Sequence, residues 1–338
     1  MTSKQRKYRV LIAYNDPDKK NGDNLDYISE AAVKTEADNI YKAVLKLDHI
    51  PGYLPVSNIE KDIQKVKEFA PDMIFNLCEG YRGDAHHEMH IAGFWELLGI
   101  PYTGNTPLTL GLAQNKVLAK KLFESKKIPT PMYQVYSETP KHTYLNYPLI
   151  AKPAREDASI GITQRSIIHN FEELSKVVAE LLKRYKQPVL VEKFIQGREF
   201  NVSVLGNNPA KVLPVSEINF AELEAEHHHI TSYEAKWLPH HPLFQKTPAV
   251  CPADISQDLR QRLADVTLQV YHLLMGRDYG RVDIRVDSSG RIYVLEFNPN
   301  PDISMDAGFA NAVKAAGMKY REFVDFVINQ TMNRMAHD

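Results

Sequence analysis

Gly280-Arg281-Val282-Asp283-Ile284-Arg285-Val286, the turn Asp287-Ser288-Ser289-Gly290, and Arg291-Ile292-Tyr293-Val294-Leu295-Glu296-Phe297-Asn298 read as one β-hairpin. Two β-prone runs flank a turn of Asp, Ser and Gly, the residues that tolerate tight backbone geometry. Strand alternation places Arg281 and Asp283 on one face of the first run. Glu296 and Asn298, two residues apart, share a face of the second. Pairing back through the turn brings Asp283 opposite Glu296 and Asn298, so three oxygen-donor side chains meet at one point. Oxygen-only ligands suit Mg²⁺, which keeps waters and bridges to phosphate oxygens. A solvated polar hairpin face is the competing reading, because the pattern is short.

Upstream, Leu149-Ile150-Ala151-Lys152 is a strand ending in a lysine, followed by the small-residue loop Pro153–Gly161. Such a loop lays backbone N–H groups along a polyphosphate, and the lysine adds a point charge. It is not a P-loop, whose G-x-x-x-x-G-K-[ST] pattern is absent. Further on, Val189-Leu190-Val191-Glu192 runs into Lys193-Phe194-Ile195-Gln196-Gly197. Here backbone groups can face an adenine edge, with Phe194 and Ile195 as an apolar wall and Glu199 able to accept from ribose hydroxyls. In isolation each segment reads equally well as surface loop.

The rest of the chain alternates. Tyr8–Tyr14, Gly52–Val56 and Met73–Leu77 are short apolar strands, separated by a polar loop (Asn15 to Asp26) and helical periods at about Glu30–Leu47 and Ile59–Phe69. Strand–helix alternation predicts a parallel sheet over about the first hundred residues. Helices are expected at Leu108–Lys127, Phe171–Tyr185, Ser256–Leu274 and Tyr320–Met332, with strands at Ile162–Ile168 and Glu199–Leu205. The resulting division is 1–110, 111–190 and 191–338. Among 338 residues, 41 Lys and Arg stand against 42 Asp and Glu. That balance argues against a nucleic-acid or membrane-surface partner. Two cysteines, Cys78 and Cys251, without metal spacing argue against a disulfide framework. No apolar run reaches the roughly 18 residues of a membrane span, and no secretory signal is visible, so a cytoplasmic location is expected.

Taken in order, the chain carries Gly99-Ile100-Pro101-Tyr102-Thr103-Gly104, Asn115-Lys116, KPAREDASIGI (152–162), VEKFIQGREF (191–200), YEAKW (233–237), Cys251-Pro252-Ala253, GRVDIRVD (280–287) and LEFNPNP (295–301). This series resembles the ATP-grasp superfamily, and within it the D-alanine–D-alanine ligases, over roughly Asn76 to Gly317. The resemblance implies an α/β ATP-grasp architecture: an N-terminal parallel-sheet domain plus two α+β subdomains clasping ATP. It implies an ATP-dependent carboxylate–amine ligase that works through an acyl phosphate on small amino-acid-like molecules, with a homodimer as its assembly. Lys116 and Lys152 are implied to hold ATP phosphates, aided by Ser159 in the loop. Glu192, Lys193, Phe194 and Ile195 border the adenine, and Glu199 binds the ribose. Lys236 reaches the γ-phosphate from a mobile loop, and Arg281 stabilises the oxyanion. Asp283, Glu296 and Asn298 hold two Mg²⁺ ions, or Mn²⁺ in their place.

The chain departs from that family at its substrate features. The phosphate loop has Asp157-Ala158-Ser159 where the family has glycine-serine-serine, and Trp237 stands for a tyrosine. The turn Pro299-Asn300-Pro301-Asp302-Ile303-Ser304 lacks the glycine that cradles the second D-alanine. Tyr14-Asn15-Asp16-Pro17 replaces the motif that grips the first. These changes predict substrates other than two D-alanines, with Glu79, His87, Glu88, Asn300 and Ser304 as candidate contacts. A true D-alanine–D-alanine ligase, and a nucleotide-binding module or kinase that forms no amide bond, are the alternatives. Whether His227-His228-His229 has a role stays open at this point; zinc needs a convergence that the sequence does not show.

Overall fold

The computed structural model describes residues 6–16, 26–157, 159–238 and 240–334. Most of the loop expected between Asn15 and Asp26 lies outside them. The chain opens with β1 (Arg9–Asn15), α1 (Asp26–Lys46), β2 (Ile50–Val56), α2 (Ile59–Phe69) and β3 (Met73–Leu77). The strands pair in parallel in the order β2-β1-β3, and a bridge from Ile74 to Tyr102 extends the sheet. Crossover helices are what parallel pairing requires. Asn58 starts α2 by accepting from the Lys61 N–H, and Ala70 ends it in a left-handed conformation ahead of Pro71.

Next come α3 (Glu88–Leu97), α4 (Pro107–Gln114) and α5 (Lys116–Ser125). The single helix expected over Leu108–Lys127 is two helices that meet at Asn115. Its backbone leaves the helical region, and its side chain caps α5 by accepting from Leu118 N–H at 3.1 Å. Asparagine competes with the helical ladder in this way, and here the break makes Lys116 the first residue of a new helix.

The central sheet holds β4 (Tyr133–Tyr136), β5 (Leu149–Pro153), β6 (Ile167–Ile168) and β7 (Val189–Lys193), in the order β4-β7-β5-β6, backed by α6 (Phe171–Tyr185). The strand expected from Ile162 shrinks to two residues. Thr163 and Ser166 cap each other's backbone around a 3₁₀ turn at Gln164–Ser166, so only Ile167 and Ile168 remain to pair with β5.

The third sheet comprises β8 (Gly197–Leu205), β9 (Lys211–Val212), β10 (Ser216–Ile218), β11 (Ala249–Val250), β12 (Tyr279–Asp287) and β13 (Ile292–Asn298). Its order is β11-β10-β8-β12-β13, with β9 on β8. Between β10 and β11 lie the short helices α7 (Tyr233–Trp237) and α8 (Pro242–Gln245), and α9 (Gln257–Leu273) precedes β12. Gly197 begins β8 at φ +149°, where a Cβ would stand 2.0 Å from the Val286 carbonyl oxygen, so only glycine lets the two backbones approach. Finally α10 (Gly308–Ala315) and α11 (Tyr320–Arg334) return to the first sheet. Phe309, Val313, Phe323 and Val327 share a core with Val10 and Ile12 of β1 and Val44 of α1.

Glu88 opens α3 and is buried, with Asn300 Nδ2 donating to its Oε1 at 3.1 Å. Burial, reinforced by Asp157 and Glu79, pushes its carboxyl well above the usual range. The folded chain therefore keeps a proton that the unfolded chain releases. That contribution is full below the ordinary carboxylate range and is lost as pH rises toward the folded value, by up to about 1.4 kcal/mol per unit.

Two tests follow from these packing arguments. Asn115→Ala removes a cap and should cost about 1 kcal/mol, read from urea unfolding. Glu88→Gln keeps the oxygen acceptor, so it should leave stability nearly unchanged at about pH 4 and raise it at about pH 8. The same shift at both values would mean that Glu88 folds ionised.

Candidate active site

Where the central and third sheets face each other they enclose a cavity of about 880 Å³. The β12–β13 hairpin forms one wall. Asp283 pairs with Glu296 and Arg281 with Asn298, and a register shift after Asp283 leaves Leu295 as an extra residue. That bulge re-aims the strand, so that successive side chains, Leu295 and Glu296, both line the cavity. Arg281 forks onto Asp283 at 2.7 and 2.8 Å, and Asn298 Nδ2 donates to Asp283 at 3.0 Å. Asn201, across on β8, donates to the other oxygen at 2.8 Å.

Cations stand behind the hairpin and across from it. Lys116 has a side chain only 3% exposed and reaches Asp157 at 2.5 Å and Glu296 at 3.3 Å. Burial opposes its charge, yet these carboxylates hold its ammonium above the usual lysine range. Burial would likewise raise Glu296, but Lys116, Lys152 and Arg281 hold it below the usual carboxylate range. Lys152 reaches Glu192 at 2.7 Å, and Lys120 takes the other Glu192 oxygen as well as Thr130 Oγ1 at 2.6 Å. All three of these charged side chains are buried. A buried carboxylate between two ammonium groups stays ionised and fixes both.

Lys193, Phe194, Ile195 and Glu199 line the cavity beside Glu192. Lys193 Nζ donates to the Tyr147 carbonyl at 2.7 Å, and the Phe194 N–H donates to that of Pro148 at 3.0 Å, which locks the linker to the central sheet. Over the opening lies the segment leading into α7. Ser159 Oγ donates to the Thr231 carbonyl at 2.9 Å, Tyr233 N–H to that of Ile162 at 2.9 Å, and Gln164 exchanges two bonds with the backbone of His228. The 153–161 loop and the lid segment that carries Lys236 are thereby stitched together. Burial, with Arg281 beside it, pulls the Lys236 ammonium below its usual range.

Of the expected site residues, Lys152, Ser159, Glu192, Lys193, Phe194, Ile195, Glu199, Lys236, Arg281, Asp283, Glu296, Asn298 and Ser304 line one cavity. Lys116 lies behind Glu296. Glu79 lies outside the lining but close enough to bias Lys236 and Glu36. Asn300 also lies outside, tied to Glu88 and the Cys78 carbonyl. His87 is not brought in; its ring turns to His90, with Nδ1 atoms 3.0 Å apart, on a half-exposed face. His229 stacks on Phe220.

Sequence reading missed Lys120, Arg285 and Asn201. Lys120 lies one helical turn after Lys116, hence on the same face. Arg285 continues the 281–283 alternation. Asn201 becomes visible only once β8 pairs with β12.

Among the described residues, no three His, Cys, Asp or Glu side chains gather to hold a metal. The hairpin supplies two carboxylates and one amide oxygen, a hard donor set that fits Mg²⁺ if phosphate oxygens and waters complete its shell. No helix among the described residues is long and apolar enough to cross a membrane.

The family model described as D-ala D-ala ligase C-terminus matches residues 112–329. A D-alanine–D-alanine ligase of Carboxydothermus hydrogenoformans is 31% identical over 312 residues, spanning 88% of this chain and 93% of that one. An uncharacterized protein, y4sG, of Sinorhizobium fredii is 34% identical over 263 residues, spanning 78% of this chain and 75% of its own. The crystal structure of the Bacillus anthracis D-alanine–D-alanine ligase complexed with ATP superposes with a TM-score of 0.77 at 20% identity, covering 98% of this chain and 99% of that one. The chain belongs to the D-alanine–D-alanine ligase family, ATP-grasp enzymes that form carbon–nitrogen bonds.

Proposed function

We propose that this ligase joins a small amino-acid-like carboxylate to an amine, and that its two substrates are not both D-alanine. A carboxylate oxygen attacks the γ-phosphorus of ATP, the bond to the bridging oxygen breaks, and ADP leaves. The amine nitrogen then attacks the acyl carbon, phosphate departs with the bonding electrons, and the nitrogen loses a proton. The observation that carries the reading is the cavity where Lys152, Lys236, Arg281 and the carboxylate hairpin converge. In it Lys152 and Lys236 bind phosphate oxygens, joined by Lys116 from behind Glu296, and Arg281 faces the charge that develops on the acyl oxygen. Mg²⁺ bound by Asp283, Glu296 and Asn298 offsets the triphosphate charge. Ser159 and the lid residues around Thr231 exclude water, which protects an acyl phosphate from hydrolysis.

The substrate end supports the finer part. Asp302, Ser304 and Asp306 line the cavity just past the hairpin. Asp302 lies in the turn that lacks the glycine of the D-alanine ligases, and its carboxylate accepts from the Ser304 N–H at 2.8 Å. A carboxylate there favours an amine acceptor with further positive charge and disfavours the carboxylate of a second D-alanine. True D-alanine–D-alanine ligation is the competing reading, favoured by the names of the relatives. The homodimer implied by resemblance belongs to this reading too.

The deciding assay pairs D-alanine and other amino acids with amine acceptors and scores ADP, phosphate and amide product. Efficient turnover with D-alanine alone would overturn the substrate assignment, and phosphorylated product without free phosphate would overturn the ligase itself. Glu296→Ala should abolish turnover, about 10³-fold or more as expected when transition-state electrostatics are lost, without unfolding the chain. Lys236→Ala should lower kcat far more than it raises the KM for ATP; equal effects would place that lysine away from the transferred phosphoryl group.

A further inference from the structure

One buried arginine has no part in the chemistry just described. Arg285, on β12, pairs across the sheet with Glu199 of β8, and its side chain is 4% exposed. Its Nη1 donates to the Ile195 carbonyl at 2.8 Å. Its Nη2 donates to Glu199 Oε2 at 2.6 Å and also to the His229 carbonyl. The guanidinium lies over the Phe194 ring, 5.0 Å from its centroid. These partners come from three separate pieces of chain: the linker after β7, the first strand of the third sheet, and the lid. Thr231 adds a second tie, donating from Oγ1 to the remaining Glu199 oxygen at 2.8 Å.

A desolvated cation needs all its acceptors, because an unmet N–H in a dry site costs far more than one in water. When the lid lifts, Arg285 loses the His229 carbonyl and Glu199 loses Thr231. The planar fork of arginine spans such a set at once, whereas the single ammonium of lysine does not. Any ligand that orders Ile195 and Glu199 therefore also orders the fork that receives the lid.

We propose that Arg285 is a positioning residue that couples nucleotide occupancy to lid closure. This rests on the reading of the cavity as the ATP site. Coupling of this kind is reciprocal: nucleotide favours the closed lid as much as the closed lid favours nucleotide.

The experiment is hydrogen exchange of residues 227–238 with and without saturating Mg²⁺ and a non-hydrolysable ATP analogue. The wild-type chain, Arg285→Met and Arg285→Lys are compared, each at an analogue concentration shown by titration to saturate it. The analogue should slow exchange at least about tenfold in the wild type and less than about threefold in both variants. Exchange of α9, remote from the lid, should match in all three, which separates coupling from general loosening. Thr231→Val, which leaves the buried cation intact, should lose part of the protection, and this carries the test if Arg285→Met does not fold. Full nucleotide-dependent protection in Arg285→Lys or Thr231→Val overturns the coupling. An analogue that fails to bind the wild-type protein overturns the ATP reading, and the coupling with it.

Discussion

Buried charge is the constraint around which this structure is organised. Asp283, Glu192 and Glu199 are carboxylates out of water, and each is matched by a cation that is itself largely buried: Arg281, Lys120 with Lys152, and Arg285. Removing one member of such a pair typically costs about 3–5 kcal/mol, because the other is left desolvated and alone. The hairpin, α5 and the linker are thus held to one another by electrostatics as well as by apolar packing. On the proposed reading the charges around the hairpin also serve catalysis. Lys116 exchanges the carboxylates of Asp157 and Glu296 for phosphate oxygens, while Glu296 and Asp283 exchange cations for Mg²⁺.

Much of this was legible in the sequence because it is local. Period-two alternation alone put Arg281 with Asp283 and Glu296 with Asn298, and the structure pairs Asp283 with Glu296 across the hairpin. Strand–helix alternation disclosed the parallel sheet. What stayed hidden depends on long-range pairing or on side chains that rewrite the backbone. Asn115 breaks a run whose periodicity is helical throughout, and a cap competes with periodicity without leaving a mark on it. Thr163 and Ser166 did the same to an apparent strand. Asn201 and Thr231 acquire meaning only when β8 meets β12 and the lid folds down. The bulge at Leu295 adds a residue to one strand, and alternation cannot register a change in its own phase.

On the proposed reading, the amino-acid end of the cavity follows a different rule from the nucleotide end. Glu36 is buried beneath Asp302, accepts from the Ile303 N–H at 2.9 Å, and is pushed well above the usual carboxylate range by burial and by the charges of Asp302 and Glu79. Glu88 behaves likewise beside Asn300. Two buried acids, both pushed up from the usual carboxylate range, help fix the shape of the Asp302 turn by hydrogen bonding. Asp302 and Asp306 line the cavity at that end, with Glu79 close by, and that is why the departure from the D-alanine turn bears on acceptor choice.

Lid energetics complete the picture. Four hydrogen bonds stitch the lid to the phosphate loop: Ser159 to Thr231, Tyr233 to Ile162, and the two between Gln164 and His228. Each contributes about 0.5–1.5 kcal/mol net, so together they amount to a few kcal/mol, small enough for opening on the timescale of turnover. The bonds of Arg285 and Glu199 are of another kind, charged and buried, and they join the lid to the nucleotide wall. Neutral, part-buried bonds make closure reversible; charged buried ones make it conditional on what occupies the wall. A ligase that must keep water from an acyl phosphate needs both properties, since a lid that never opened would trap product and one that closed on an empty site would exclude ATP.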